Sequence, residues 1–319
     1  MIACEIVVLL VVAAAGCGGG GGGVEPNDAN PSVNGRIIVS ELLGGPCGAS
    51  SQIISYASDG TDPRFLTASG SNIMPAAAPD GRTILFSSCV GDVREIFVMD
   101  SDGANRQQLS SGTQGAGNFT PIYSPDQRRI AFSAVRDGDT NPEVWVMNAD
   151  GTGATRLTQT PPALPGQQFV WSLHPTWSAD GQQIAYASTV SGSTQIWIMN
   201  SDGTDQRQLT FGLGPDYPDA NVPHWSLDGS KVTFWSGFEG QYGDVWTMDP
   251  DGSNPVRVTA TPDVVNSDDP HWSPDGTKIV FGRGASEQPR SMWVIDLDTG
   301  NESEIITGAQ WADWQPARQ

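Results

Sequence analysis

Basic residues are scarce in this chain of 319 residues, which has 16 lysines and arginines against 36 aspartates and glutamates. The formal net charge is −20, and the only lysines are Lys231 and Lys278. Nucleic-acid binding needs a basic patch that faces the phosphates. The composition therefore predicts no nucleic-acid partner, and the acidic excess mainly confers solubility.

Signatures of the common enzyme classes are also missing. The sequence contains no G-x-S-x-G elbow, no P-loop and no dinucleotide-binding fingerprint. These absences favour a protein without catalytic activity, but they leave open chemistry that uses other residues. The question of whether the protein is an enzyme therefore stays undecided at the level of sequence.

Long apolar runs are absent except for one near the start, "IVVLLVVAAAGC" from Ile6, which is short for a membrane span. Its end, Ala14-Ala15-Gly16-Cys17, is similar to a bacterial lipobox, although no basic residue precedes the run. We predict a lipoprotein signal peptide over 1–16, and a lipidated Cys17 with a Gly-rich tether over 17–34. An ordinary cleaved signal peptide that happens to contain a cysteine is the alternative.

The rest of the chain consists of sequence repeats. "PHWSPDGTKIVF" from Pro270 closely matches "PHWSLDGSKVTF" from Pro223, and "PTWSADGQQIAY" from Pro175 is a further copy. A second motif, such as "DVWTMDPDG", follows each copy, and its central aromatic recurs roughly every 47 to 52 residues. This period is typical of propeller blades and solenoid units.

Each repeat predicts four short strands, which we name A to D. Strand A is P-x-W-S, strand B is "KIVF" or its equivalent, strand C is centred on the aromatic, and strand D is a run such as "RQLT". Pro-Asp-Gly and Asp-x-Asp-Gly supply the tight A–B and C–D turns. Strand B is apolar on both faces, as in Ile184, Ala185 and Tyr186, so each sheet needs neighbours on both sides.

Counting the repeats predicts an all-β fold over 35–319. The first repeat has strands B to D but no strand A, and the last motif, Asp-Trp-Gln-Pro before Ala317, matches strand A alone. We therefore expect a six-bladed β-propeller with four antiparallel strands per blade. Its ring would close by pairing of the C-terminal strand A with the N-terminal strands.

These P-x-W-S-P-D-G and I-W-x-M-x-x-D-G copies resemble the repeats of TolB-type six-bladed β-propellers. The resemblance covers nearly all of 36–316 and is loosest in the first two blades, where Ala77 replaces the strand A tryptophan. It implies the fold and a place in the bacterial cell envelope. The TolB protein itself has an α/β domain before its propeller, and residues 24–36 leave no room for one, so we expect a lipoprotein form that lacks this domain.

Two cysteines, Cys47 and Cys89, fall within the repeats. Cys47 lies in the predicted B–C loop of the first blade, and Cys89 begins the B–C loop of the second. Adjacent blades bring these loops side by side, so we predict a disulfide between them in an oxidising envelope. Two free thiols that merely pack together are the alternative.

Histidines occur in the predicted innermost strands of three consecutive blades. His224 and His271 share one repeat position, just before the strand A tryptophan, whereas His174 lies three residues before Trp177. Together they are candidate ligands for a transition metal, although residues at a repeat position more often serve packing. The Asp-x-Asp-Gly turns have a weak likeness to calcium loops, but turn chemistry explains them better and we expect no required cofactor.

Aromatic residues outside the two tryptophan columns mark the long B–C and D–A loops, which we expect at one rim of the ring. They are candidates for stacking on a sugar or anchoring a peptide. The alternative is that they only fix the loops in place. The candidate ligand-binding residues are Phe169, Trp171, Tyr217, Trp235, Phe238, Tyr242 and Trp311.

Two functions are consistent with this pattern. The first is a non-catalytic, monomeric lipoprotein that binds an envelope protein or glycan through its loops, anchored to the outer membrane on its periplasmic or surface face. The second is a metal-dependent polysaccharide lyase of the oligogalacturonate type, with His174, His224 and His271 in the propeller channel. Such a lyase would use the metal to assist its chemistry inside the ring.

Overall fold

The structure of the chain is a computed structural model. It describes residues 35–42, 47, 50–111, 117–136, 141–161, 170–214, 217–238, 242–261, 266–284 and 290–317. Within these ranges the chain forms 24 strands and no helix. Accordingly, none of the described residues belongs to a helix with the length and hydropathy needed to cross a membrane.

The strands fall into six groups along the chain, followed by β24. The first group has three strands, and each of the other five has four and begins with a strand A. The first two groups consist of β1 (Arg36–Leu42), β2 (Ser51–Ala57), β3 (Arg64–Phe65), β4 (Asn72–Ala77), β5 (Thr83–Val90), β6 (Val93–Asp100) and β7 (Gln107–Gln108). The next two consist of β8 (Gly117–Tyr123), β9 (Arg129–Val135), β10 (Glu143–Asn148), β11 (Thr155–Arg156), β12 (Ser172–Trp177), β13 (Gln183–Ser188), β14 (Gln195–Asn200) and β15 (Arg207–Gln208).

The remaining strands complete the pattern. They are β16 (Asp219–Trp225), β17 (Val232–Phe238), β18 (Tyr242–Met248), β19 (Val256–Arg257), β20 (Asn266–Trp272), β21 (Lys278–Gly284), β22 (Ser291–Asp296), β23 (Glu302–Thr307) and β24 (Ala309–Gln315). All pairings inside the groups are antiparallel. One parallel bridge, between Gly243 and Asn266, joins the two groups β16–β19 and β20–β23 into a single sheet.

The last strand pairs with the first. β24 runs antiparallel to β1, with Trp314 opposite Ile37, and gives the sheet order β24-β1-β2-β3. The six A strands contact one another in the cyclic order β4, β8, β12, β16, β20, β24 and back to β4. The predicted pairing between the two ends of the repeat region is therefore present.

The apolar core lies between neighbouring groups. Ile38 and Ile53 of the first group pack with Phe86 of the second, and Leu85 of the second packs with Phe132 of the third. Strand B is buried on both faces, as its sequence predicts, because each sheet is covered by a neighbour on either side. One cluster joins the first group to the last, with Trp314 and Ile37 beside Val280 and Met292.

The A–B turns follow the predicted chemistry. In the turn after β20, the Ser273 hydroxyl donates to Asp275 at 2.7 Å, and the amide of Gly276 donates to the Ser273 carbonyl. Gly276 has a φ of 71°, in the left-handed region that favours glycine. Gln127 takes the same position in the turn after β8 with a φ of 57°, a conformation that its Cβ makes less favourable than it is for glycine.

The C–D turns use aspartate for hydrogen bonding within the turn. Asp150 accepts the Thr152 amide at 2.9 Å, and Asp202 accepts the Thr204 amide at 3.0 Å. The turn glycine approaches the preceding group so closely that a Cβ on Gly151 would lie 2.2 Å from the Leu109 carbonyl oxygen. The repeated Asp-Gly pair thus serves turn geometry and the contact between neighbouring sheets.

In the first five groups, the Ser or Thr that follows the short strand D fastens it to strand C. In the third group the Thr158 hydroxyl accepts the amide of Val144 at 2.9 Å and donates to the Glu143 carboxylate at 2.6 Å. The fourth group repeats this with Thr210 and the side-chain amide oxygen of Gln195. The side chain replaces a longer backbone ladder, since the described D strands before β23 have only two residues each.

Candidate functional site

Every A strand carries a bulge that turns side chains toward a shared channel. The register with strand B shifts within each of the first five A strands, for example between Asp268 and His271. One residue at each bulge has a left-handed φ between 47° and 55°, and none is glycine. These residues are Met74, Thr120, His174, Val222, Asp269 and Trp311.

The channel is lined by three consecutive positions of the A strands, from the bulge onward. Its central cavity has a volume of about 60 Å³ and contacts His174, His224, Asp269, His271 and Asp313. This volume holds a few water molecules or one hydrated ion, since a water needs roughly 10–15 Å³ of such space. A larger ligand therefore has room only at the ends of the channel.

Three side chains with metal-ligating atoms meet in this cavity. His224, His271 and Asp313 lie two residues after the bulge in the consecutive strands β16, β20 and β24. One ligand atom from each lies within 4.8 Å of the other two. The rings of His224 and His271 are 4.2 Å apart between centroids, and Nδ1 of His271 is 3.1 Å from Oδ1 of Asp313.

The two clustered histidines are in opposite electrostatic states. Burial lowers the pKa of His224 to about 3, and repulsion from His271 adds to this shift. Burial alone would lower the pKa of His271 as well, but its contacts with the carboxylates of Asp269 and Asp313 outweigh this and raise it to about 10. The pKa values of the two histidines are thus shifted in opposite directions, because two carboxylates face His271.

His174 lines the same cavity but stands outside the cluster of His224, His271 and Asp313. It is the bulge residue of β12, and its amide donates to the Ser133 hydroxyl at 3.1 Å. Burial lowers the pKa of His174. Of the three histidines predicted as metal ligands, the structure thus brings His224 and His271 together and adds Asp313 in place of His174.

The end of the channel next to the D–A and B–C connections forms a polar mouth of about 180 Å³. Its lining includes Asp268, Asp269, Arg290, Gln310 and Trp311. Arg290 pairs with the Asp268 carboxylate at 2.5 Å. Burial raises the pKa of Asp268 to about 6 although Arg290 opposes this. We call this set of five residues the loop-side mouth.

The predicted ligand-binding aromatics take different places. Trp235 is only 5% exposed and its indole N–H donates to Asn266 at 2.7 Å, so it fixes the 266 segment and is not available to a ligand. Tyr217 is half-buried, edge-on to Trp246, with its hydroxyl 3.2 Å from Asp244. Trp171 packs against a core cluster. All three side chains thus contact other described parts of the fold.

Four of the seven predicted aromatics remain. Trp311 lines both the central cavity and the loop-side mouth, which agrees with a binding role. Tyr242 is half-buried at the start of β18. Phe169 and the side chain of Phe238 lie outside the described part of the chain, as do Cys17 and the rest of 1–34.

Two residues that the sequence reasoning missed matter here. Asp313 occupies the repeat position of His224 and His271, and aligning Asp-Trp-Gln-Pro with His-Trp-Ser-Pro was enough to find it. Phe211 is 79% exposed, directly after strand D of the fourth group. The same position holds Ala, Ser or Gln in the repeats before and Ala in the one after, so a large apolar residue there was a visible signal.

Cys47 and Cys89 are joined by a disulfide in the structure. Their Cα atoms are 5.6 Å apart, and the bond links the connection between β1 and β2 to the end of β5. It therefore ties the first group of strands to the second.

Four-stranded antiparallel sheets that share a core and line a common channel define the β-propeller class. The model of the TolB beta propeller domain matches residues 110–317. The chain belongs to this family, as its repeats predicted.

Curated relatives and solved structures agree with this family. The chain is 28% identical over 191 residues to the uncharacterized protein Atu1656 of Agrobacterium fabrum, a match that covers 58% of this chain and 61% of that protein. It is 35% identical over 116 residues to the Tol-Pal system protein TolB of Anaeromyxobacter dehalogenans, which covers 36% of this chain and 24% of that protein. The chain thus spans less than two thirds of the length of these relatives.

The crystal structure of TolB from Acinetobacter baumannii superposes with a TM-score of 0.69 at 21% sequence identity. The match covers 89% of this chain and 67% of that chain. At this identity the likeness concerns the fold.

Proposed function

We propose that this protein is a non-catalytic binding scaffold of the cell envelope, which recognises a protein partner through the loop-side mouth and the loops around it. One observation carries the proposal: the loop-side mouth combines an aromatic ring, Trp311, with an ion pair between the partly exposed side chains of Arg290 and Asp268. Concave sites with a few convergent polar groups are the usual form of binding sites.

The surroundings of the mouth support a protein partner. Phe211 presents an aromatic ring that is 79% exposed on a D–A connection. Exposed aromatics serve as anchors in protein interfaces. The relative from Anaeromyxobacter is named for the Tol-Pal system, and this name supports an envelope protein as the partner rather than a glycan.

The finer architecture belongs to the same proposal. We infer six blades in a closed ring, with β24 supplying strand A of the first blade. The pairing of β24 with β1 supports this inference, as does the approach of Gly60 in the first group to the Ile305 backbone in the last. A ring closed by the chain itself buries its core without a second copy, so we propose a monomer.

The lyase alternative has less support. A polysaccharide lyase must bring a uronate ring to the reacting residues, but the cavity beside His224 and His271 is about 60 Å³. This is room for water or an ion. We therefore propose binding, not cleavage, as the role of this channel.

Anchoring completes the proposal. Cys17 would carry the lipid and 18–34 would tether the propeller to the outer membrane, on its periplasmic or surface face. A Cys17→Ser variant should lose metabolic labelling by a palmitate analogue. A wild-type chain that takes up no label, or a variant that is labelled as strongly as the wild type, would contradict the lipid anchor.

Site-specific photo-crosslinking tests the binding role. A photoreactive phenylalanine replaces Phe211 in the full-length chain, and in a control it replaces Leu227, which is 54% exposed on an A–B turn at the opposite rim. We expect a discrete protein adduct from position 211 in envelopes, none from position 227, and loss of the adduct when Trp311→Ala is added. Adducts that are equal at both positions would refute a loop-side binding surface.

A further inference from the structure

His224, His271 and Asp313 form a group that the binding proposal leaves without a role. They come from three consecutive A strands at one repeat position, whereas the other three A strands place Ala76, Ile122 and Thr176 there. The polar residues are therefore confined to one side of the channel. Packing alone does not require ionisable residues at this position, because the other three A strands pack around the same channel with apolar or hydroxyl-bearing residues there.

The spacing of their atoms fits a shared ion. Nδ1 of His271 and Oδ1 of Asp313 are 3.1 Å apart. Two ligands at 2.0–2.2 Å from a tetrahedral ion lie about 3.4 Å from each other. The third donor is already close, since one ligand atom of His224 lies within 4.8 Å of both. Bringing a pair at 4.8 Å to about 3.4 Å needs a shift of about 1.4 Å, which is within reach of a side-chain rotation.

Neighbouring groups hold the ligands in the required orientation. The other ring nitrogen of His271, Nε2, faces Oδ1 of Asp269 at 3.6 Å, and an ion bound at Nδ1 would displace the proton that Nδ1 shares with Asp313. The Ala77 amide donates to Oδ2 of Asp313 at 2.8 Å, and the Trp314 amide donates to Oδ1 at 2.8 Å. A carboxylate behind a metal-bound imidazole and hydrogen bonds to a ligating carboxylate are typical outer-shell features of metal sites.

A buried ring nitrogen of His224 is a second, independent observation that points to a ligand. Nδ1 of His224 is buried and makes no hydrogen bond to a side chain among the described residues. Buried polar atoms without a partner are rare in folded proteins and call for an explanation such as an ion. The two carboxylates of Asp269 and Asp313 beside it make the cavity attractive to a cation.

We propose that His224, His271 and Asp313 bind one divalent transition-metal ion of the zinc class in the channel. Two imidazole nitrogens and one carboxylate suit zinc, cobalt or nickel better than calcium or magnesium, which prefer oxygen ligands. The central cavity leaves space for water as a fourth ligand. Since the ion joins three A strands, including β24, it also fastens the pairing between the two ends of the repeat region.

Metal titration of the full-length chain tests the proposal. Cys4 and Cys17 are replaced by serine in every sample so that free thiols bind no metal. After treatment with a chelator, Zn²⁺ binding is measured by calorimetry and Co²⁺ binding by visible absorption. We expect about one ion per chain, displacement of Co²⁺ by Zn²⁺ but not by Ca²⁺, and at least about 10-fold weaker binding in His224→Gln and Asp313→Asn.

His174→Gln is the matched control, because His174 lines the same cavity outside the cluster. It should bind Zn²⁺ within about 2-fold of the parent chain. Each variant is compared without metal by circular dichroism and urea unfolding, so that loss of the fold is not read as loss of the site. A parent chain that binds no Zn²⁺, folded His224→Gln and Asp313→Asn variants that bind it unchanged, or equal loss in His174→Gln would each overturn the proposal.

Discussion

Gln127 adopts a left-handed φ of 57° at a turn position where four other A–B turns use glycine. A residue with a Cβ is strained there by about 1–2 kcal/mol. Replacing it by glycine removes this strain, but the greater freedom of glycine in the unfolded chain offsets part of the resulting gain in stability. We predict that Gln127→Gly raises the free energy of unfolding by about 0.5–1 kcal/mol, measured by urea denaturation.

Gln182 provides the comparison for this substitution. It is exposed in the equivalent turn of the next group, one residue after Gly181, and its φ is not left-handed. Gln182→Gly should therefore lower the free energy of unfolding by about 0.5–1 kcal/mol, because only the entropic cost remains. The same sign for both substitutions would show that strain at Gln127 is absent.

Thr158 is a second residue whose substitution has a predictable effect on stability. It is buried and bridges the Val144 amide and the Glu143 carboxylate. Valine keeps the shape but leaves both groups without this partner, so Thr158→Val should lower the free energy of unfolding by about 1.5–3 kcal/mol. Thr210→Val, which affects the neutral Gln195, should cost less, about 0.5–1.5 kcal/mol. Equal costs in urea unfolding would contradict the role of charge.

At the scale of elements, the C–D turns set how closely neighbouring sheets approach. A Cβ at Gly151 meets the Leu109 carbonyl at 2.2 Å, and φ there is 85°. Gly192 has a φ of 102° but no described atom within 4 Å of its Cβ position. Gly151→Ala should cost about 2–5 kcal/mol from strain and overpacking, and Gly192→Ala about 1–2 kcal/mol from strain alone. Thermal unfolding of both variants provides the measurement, and equal shifts would argue against a tight contact between sheets.

The elements also show what the sequence was able to predict. The hairpins, the turn chemistry and the double-sided burial of strand B follow from residues such as Gly276 and Ile184, because turns and alternation are local properties. The bulges do not follow, since Thr120 and Val222 are β-branched residues that ordinarily avoid a left-handed φ.

The candidate site depends on those bulges. Each bulge changes which side chains face the channel, and so it decides that His271 meets Asp313 while His174 stays apart. Three-dimensional register is set by the packing of all the sheets together, and a single repeat carries no local sign of it. Alignment of the repeats thus found the shared position of His224 and His271, but not which residues surround it.

For the whole molecule, the disulfide constrains the unfolded chain. Cys47 and Cys89 are separated by 42 residues in sequence, and closing a loop of that length is worth about 4 kcal/mol in the chain-entropy model. We predict that the double variant Cys47→Ser/Cys89→Ser unfolds at lower urea concentration. The parent chain should take up alkylating reagent at both positions only after reduction.

Reductant provides the control for this disulfide prediction. It should lower the stability of the parent chain and leave that of the double serine variant unchanged. Full alkylation of Cys47 and Cys89 in the unreduced, envelope-derived protein would show that the two thiols are free, which is the alternative reading of this pair.

Closure of the ring gives a prediction for the whole molecule, because β24 both pairs with β1 and adds a tryptophan to the apolar core. Removing 309–319 strips β1 of its partner and takes Trp314 out of the cluster it shares with Val280 and Met292. A domain is stable by about 5–15 kcal/mol, and loss of an interior strand exceeds this. The truncated chain should therefore lack native tryptophan fluorescence and cooperative urea unfolding, whereas removal of 318–319 should preserve both. A truncated chain that keeps a sharp transition would mean that the groups fold as independent units, and the closed ring would have to be abandoned.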